Sequence, residues 1–162
     1  MRVGYERLAE LDEVLHRARQ LAARTVIFDI EPLVAYWDSG QEALDQGVAL
    51  VLSQLETVPS VQVVCFATNS VRRPSGLPPG DGVRVVYLAS AGKPLRIASY
   101  QGFPRPGMVI GDQIATDGIL ARRLGYVFVQ CSPPLDRVPA GPRLMDRLGQ
   151  LVRPLLFTPP SP

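Results

Sequence analysis

A chain of 162 residues with 46% apolar side chains can build one domain with a sizeable core but not two ordinary ones. Its formal net charge of +2, with acids and bases interspersed, lacks the basic footprint that a nucleic-acid partner demands. No run approaches the roughly 18 apolar residues of a membrane span, and the charged N-terminus has no apolar signal-peptide core, so neither a spanning segment nor an export signal is expected.

Residues Tyr5 to Ala22 place Leu8, Leu11, Leu15, Ala18 and Ala22 near one helical face, with Leu21 beside them, and predict an amphipathic helix. Glu6, Glu10, Asp12 and Glu13 come early and Arg17 and Arg19 late, as the helix dipole favours. A solvated face is the ordinary reading of that basic end, and peripheral contact with anionic lipid is its alternative.

After this helix, short apolar runs alternate with helical patterns. Arg24 to Ile30 reads as a strand, Gln41 to Leu55 as a helix with Leu44, Val48, Val51, Leu52 and Leu55 inward, and Val61 to Ala67 as a strand. A loop rich in Pro and Gly, Ser70 to Gly82, leads to a strand Val83 to Leu88, a helix Pro94 to Gln101, a strand Met108 to Ile110, a helix Asp117 to Leu124 and a strand Tyr126 to Gln130. Continuous apolar strands separated by helices imply right-handed crossovers and a buried parallel sheet. The expected class is α/β, a three-layer Rossmann-like parallel sheet of about five strands with helices on both faces and no cap domain.

Half of the 16 prolines fall from Ser132 onward, around a short helical candidate from Arg143 to Val152, with Leu155, Leu156 and Phe157 available to dock the tail. The expected organisation is a helix over residues 1–23 packed on the core, a core domain over 24–131 and a Pro-rich extension over 132–162. Cys65 and Cys131, near the ends of two predicted strands, read as small buried hydrophobes, which fits a reducing cytoplasm.

In a doubly wound sheet the ligand sits outside the carboxyl ends of the strands, so the residues that follow each strand are the candidates. The first strand delivers Asp29 and Glu31, and the second, "VQVVCFATNS", delivers Thr68 and Asn69. The segment after the third brings Lys93 in "SAGKPL", and the fourth, "GMVIGDQIATDG", brings Asp112 and Asp117. Desolvating a carboxylate costs several kcal/mol unless a cation or donors compensate, so a buried strand that ends on two of them calls for positive charge. Lys93 is the single lysine among 17 basic residues, a compact point charge in a chain that otherwise uses arginine. Each element alone has a plainer reading: Thr68 and Asn69 as turn caps, Lys93 as a surface charge, Asp117 as a helix N-cap. Their succession at consecutive strand ends favours a site. Hard oxygen ligands around an open position suit Mg²⁺, which shares one or two carboxylates with a phosphate.

The segments "FDIE", "FATN", "GKP" and "GDQIATD" resemble, in order, the four motifs of the haloacid dehalogenase (HAD) superfamily. "GKP" followed by "GDQIATD" and "RLGY" is similar to YqeG-type phosphatases, which are themselves similar to phosphatidylglycerophosphate phosphatases, and Trp37 falls where that group tends to have a tryptophan. The resemblance spans Arg24 to Cys131. It implies a Mg²⁺-dependent phosphatase in which Asp29 is the nucleophile and forms an aspartyl-phosphate, Glu31 stands at the general acid and base position, and Thr68 and Lys93, with Asn69 beside them, bind the phosphorylated substrate. Asp29, the backbone carbonyl of Glu31 and Asp112 would hold the Mg²⁺, with Asp117 supporting the metal's waters or Lys93.

Two departures stand out. The second aspartate of the first motif is Glu31, and the threonine usual two residues later is Leu33, with Pro32 between. A carboxylate displaced by ~1 Å costs about 10²-fold in rate, and general acid catalysis contributes roughly 10²- to 10⁴-fold in all, so a slowed enzyme is expected. The intervals between motifs hold no lid domain, and an uncapped site suits a phosphate on something bulky or an oligomer whose neighbour serves as lid. The alternative is a catalytically impaired module of the same fold that binds phosphate or regulates. A receiver domain gathers similar groups, but in a different chain order.

Overall fold

Thr25–Asp29, the run that ends on the first carboxylate, forms a strand buried along its whole length. Such a strand needs hydrogen-bonded neighbours on both edges and apolar cover on both faces. The computed structural model describes residues 3–8, 10–132 and 138–158 and supplies both. The elements are β1 (Val3–Leu8), α1 (Leu11–Gln20), β2 (Thr25–Asp29), α2 (Gln41–Glu56), β3 (Val63–Ala67), β4 (Arg84–Leu88), a 3₁₀ turn (Ala98–Tyr100), β5 (Gly107–Gly111), a π-helical turn (Ile114–Gly118), α3 (Ile119–Leu124), β6 (Val127–Cys131), α4 (Ala140–Leu156) and β7 (Phe157–Thr158).

The strands make one parallel sheet in the order β4-β3-β2-β5-β6-β1-β7. Alternate side chains of β2 serve opposite layers. Val26 and Phe28 pack with Val14, Leu15 and Ala18 of α1 and Leu44, Val48 and Leu52 of α2. Ile27 packs on the other face with Tyr100, Leu120, Ala121 and Phe128. Each such side chain contributes about 1.5–3 kcal/mol when fully buried. The expected three-layer α/β fold is therefore the one adopted, and among the described residues no cap is inserted between the strands.

The ends of the chain differ from expectation. The helix expected from Tyr5 begins at Leu11, because the Glu10 backbone N–H donates to Glu13 Oε2 at 3.1 Å and sets the first turn there. The residues before it pair along β6, where the Tyr5 hydroxyl donates to Gln130 Oε1 at 2.7 Å. Ala9 of that expected helix lies outside the described residues. At the other end the short candidate helix extends over Ala140–Leu156 and delivers Phe157 against the rings of Tyr5 and Phe128, at centroid distances of 5.5 and 5.6 Å. Residues 133–137 and 159–162 of the Pro-rich tail lie outside the described residues. Segments read as an added helix and a tail thus supply two strands, and among the described residues the sheet has seven rather than about five.

Two inner helices also change. No regular helix forms from Pro94 to Gln101, since the carbonyls of Pro94 and Leu95 accept the Arg123 guanidinium at 2.6 and 2.8 Å, and only the 3₁₀ turn remains. The helix expected at Asp117 is preceded by the π-helical turn, in which Asp117 N–H and Gly118 N–H both donate to the Gln113 carbonyl. No helix among the described residues is long and apolar enough to cross a membrane. The basic end of α1 is engaged within the chain, Arg17 with Glu6 and Arg19 with Thr57.

Candidate functional site

The chain leaves β2 toward β3 and β4, then returns to β5 on the other side of β2 and continues to β6. The crossovers therefore diverge between β2 and β5, and a crevice opens at the carboxyl ends of these two strands. Asp29 ends β2 and Asp112 follows β5. The π-helical turn swings Asp117 in beneath them, and such widened turns recur at functional sites. Gly111 makes the approach feasible, because a Cβ there would collide with the Asp117 carboxyl group.

Lys93 bridges two of these acids. Its ammonium lies 2.7 Å from Asp29 Oδ1 and 2.7 Å from Asp117 Oδ1, with all three groups buried. Asp29, Asp112 and Asp117 each offer an oxygen within 4.8 Å of the others. Burial opposes the charge on Lys93, yet Asp117 and Asp29 overcome it and hold the ammonium well above its ordinary value. Burial and the charge of Asp117 push Asp29 well above the usual carboxylate range, against the pull of Lys93. The same causes, burial first and Asp117 second, raise Asp112 to about 7.

The sequence candidates fall into two groups. Asp29, Lys93, Asp112 and Asp117 converge on one point. Glu31 and Thr68 lie beside it, paired with each other: the Thr68 hydroxyl donates to Glu31 Oε2 at 2.5 Å, and Ser70 Oγ and Arg72 Nη1 approach Oε1 at 3.2 and 3.4 Å. The Glu31 carboxylate accordingly faces these donors and stands outside the three-aspartate cluster, so a metal-ligand role for its side chain is not supported. Asn69 serves the backbone of Lys93, donating from Nδ2 to its carbonyl at 3.0 Å and accepting its N–H at 2.8 Å. That two-point clamp positions the lysine. Together with Trp37, Gln113 and Thr116, the residues around Asp29, Glu31, Thr68 and Lys93 line a pocket of about 160 Å³, the scale of a phosphoryl group rather than of a bulky molecule.

Compared with protein-family models, curated proteins and solved structures, the chain matches none. Its chemistry has to be read from these side chains.

A divalent cation fits the donor set. Three buried carboxylates face one ammonium, and Asp112 Oδ1 is buried with no hydrogen-bond partner. An unpaired buried carboxylate oxygen is costly, and hard oxygens are the ligands Mg²⁺ takes. Asp117 is the least available of the three, since its Oδ2 also accepts from Thr116 Oγ1 at 3.1 Å. Asp29 and Asp112 would hold the ion, with Asp117 anchoring Lys93.

A pH signature follows. A carboxyl group with a raised folded-state pKa contributes stability that is fully present below its unfolded pKa and is lost as pH rises through the folded value. For Asp112 that loss is complete above about 7. The metal-free protein is expected to melt at a lower temperature at about pH 8 than at about pH 6, and Mg²⁺ is expected to raise Tm more at the higher pH, because the ion competes with the proton. An equal Mg²⁺ shift at both pH values, in thermal melts monitored by circular dichroism, would rule out ligation by Asp112.

Sequence reading missed Ser70 and Arg72, which follow the second strand in a loop with no recognisable spacing. Arg72 reaches back to the Tyr36 carbonyl at 2.8 Å and the Ser39 carbonyl at 2.9 Å, tying the loop after β2 to Glu31. Gln130 was also missed, although an amide ending the apolar run "YVFV" is a usable signal. Buried in β6, it donates to the Asp112 carbonyl at 2.8 Å and fixes that backbone.

Proposed function

We propose that the chain is a Mg²⁺-dependent phosphomonoesterase that works through an aspartyl-phosphate, as a HAD-type hydrolase would. The observation that carries this reading is the convergence of Asp29, Asp112 and Asp117 on Lys93, with one Asp112 oxygen unpartnered, at the crevice between β2 and β5. In its ionised form Asp29 attacks phosphorus, its oxygen forms the new P–O bond, and the ester P–O bond breaks as the alcohol oxygen takes up a proton. Water then attacks the phosphorus of the aspartyl-phosphate, releasing inorganic phosphate and restoring the carboxylate. Lys93 stays charged throughout and offsets the charge on the phosphoryl oxygens and on Asp29. The Thr68 hydroxyl, on the pocket wall, turns from Glu31 to a phosphoryl oxygen, and the freed Glu31, entering this step as the acid, gives its proton to the alcohol oxygen and then takes one back from the attacking water. A bound Mg²⁺ would supply charge neutralisation for the attacking carboxylate and the transferring group. The buried free thiols Cys65 and Cys131 agree with a reducing compartment, the cytoplasm.

One observation favours a second reading. Glu31 is already held by Thr68, Ser70 and Arg72, and a carboxylate so engaged is a poor proton carrier, which suits a phosphate-binding or regulatory module that no longer turns over. Hydrolysis of an aryl phosphate by the wild type and by Glu31→Asp, with and without Mg²⁺, separates the two. The phosphatase reading expects Mg²⁺-dependent release of phosphate by the wild type. An inert wild type beside an active Glu31→Asp would assign the natural protein to the second reading.

A further inference from the structure

Asp112 has a second neighbourhood. On the side of the sheet order occupied by β6 and β1, the carboxyl ends of those strands and the first turns of α4 enclose a cavity of about 490 Å³, far larger than the pocket beside Lys93. Asp112 is part of its wall, so the cavity begins where the metal-binding carboxylates end. Arg7, Arg143 and Arg147 line the same space.

Two acids, Asp112 and Asp146, share its wall. Asp146 Oδ1 accepts from Gln130 at 3.3 Å and from Gln150 at 3.4 Å, and Asp112 belongs to the aspartate cluster. The arginines retain donors. Arg7 uses Nη2 on Ser132 Oγ at 3.0 Å, and Arg143 uses Nε on the Val138 carbonyl at 2.6 Å, while the terminal nitrogens of Arg143 have no partner among the described residues. Arg147 has no hydrogen bond or ion pair among the described residues, and its side chain is exposed at the cavity. A guanidinium presents a planar fork that matches the oxygens of a phosphate or carboxylate. Three of them around a roomy space next to a phosphoryl-sized pocket describe a receptor for the rest of a substrate.

We propose that this cavity receives the leaving-group side of the substrate, and that the substrate is a phosphomonoester whose alcohol carries a second anionic group, a phosphate or carboxylate, bound by Arg143 and Arg147 with Arg7 beside them. The proposal rests on the phosphatase reading and adds the substrate class. It also gives the uncapped site a source of selectivity, since the small pocket beside Lys93 holds the phosphoryl group and little else.

The test uses esters that differ only in the second anion: the mono- and bisphosphates of butanediol, hexanediol and octanediol, with phosphate release measured on the full chain in Mg²⁺. For the diol length that spans the cavity, the wild type is expected to prefer the bisphosphate by about 10- to 100-fold in kcat/KM, the range of one or two charge-assisted contacts and well above the statistical factor of about two for equivalent ends. In the double variant Arg143→Gln/Arg147→Gln this ratio is expected to fall to that statistical factor. Because the ratio is taken within each protein, a loss of folded fraction cancels from it. A wild type that cleaves mono- and bisphosphates equally at every length, or a double variant that keeps the preference, overturns the assignment of the cavity alone. A wild type that cleaves none of the esters overturns the phosphatase reading, and the substrate class falls with it.

Discussion

Asp29→Asn is expected to lower Mg²⁺-dependent hydrolysis of an aryl phosphate by about 10⁴-fold or more, the scale of losing a covalent nucleophile. The amide has the shape of the carboxylate, so the side chain still fits between Lys93 and the end of β2, and Lys93 keeps its 2.7 Å contact with Asp117. The fold is therefore expected to survive. One of three mutually repelling carboxylates is removed along with half of the ion pairing of Lys93, two changes of opposite sign. Thermal melts of the variant should stay close to the wild type without Mg²⁺, while the extra stability contributed by Mg²⁺ should shrink. Burst kinetics with stoichiometric trapping, by acid quench, of a phosphate labile to alkali and hydroxylamine on the wild type, absent from the variant, would place the intermediate on this residue. A variant that hydrolyses the ester at the wild-type rate would remove Asp29 from the chemistry.

Lys93→Met carries the largest expected cost in stability. The ammonium is buried, it touches two carboxylates, and a third lies within reach of both. Removing one partner from a buried ionic cluster costs about 3–5 kcal/mol, which for a chain of this size is on the order of 10 °C in Tm. The pH dependence gives the cause away. Without the ammonium nothing pulls the raised pKa of Asp29 down, so its carboxyl takes a proton more readily. A raised folded-state pKa stabilises at low pH and loses its effect as pH rises, so the deficit of Lys93→Met should be largest near about pH 8 and diminish toward about pH 5. Mg²⁺ should recover part of it by supplying positive charge to the same oxygens. A variant as stable as the wild type at about pH 8 without metal would show that the cluster does not depend on its lysine. Methionine keeps the length and apolar stem of the side chain, so lost packing contributes little.

Much of this site was legible before folding because buried parallel strands are written as continuous apolar runs, and the first polar residues after such a run have to emerge at the carboxyl edge of the sheet. "TVIFD", "VVCFAT" and "MVIGD" each end this way, which is how Asp29, Thr68 and Asp112 could be named from their neighbours alone. Lys93 and Asp117 follow from the same edge by position in the chain. The α/β class follows from the alternation of those runs with helical patterns, again a local property.

Tertiary structure decided what depends on distant partners. Residues 5–8 carry a helical pattern, yet β6 offers an open edge and Phe128 and Phe157 a surface for Tyr5, and pairing more than a hundred residues away outweighed a local periodicity. The pairing of Glu31 with Thr68 across 37 positions, the clamp of the Asn69 side chain on the Lys93 backbone and the reach of Arg72 to Glu31 are likewise long-range hydrogen bonds that no spacing rule brings together. The arginine-lined cavity exists only because α4 returns over the ends of β1 and β6. Sequence periodicity set which residues reach the edge of the sheet. Long-range pairing set which of them face the cluster, which face each other, and where a second anion would find donors.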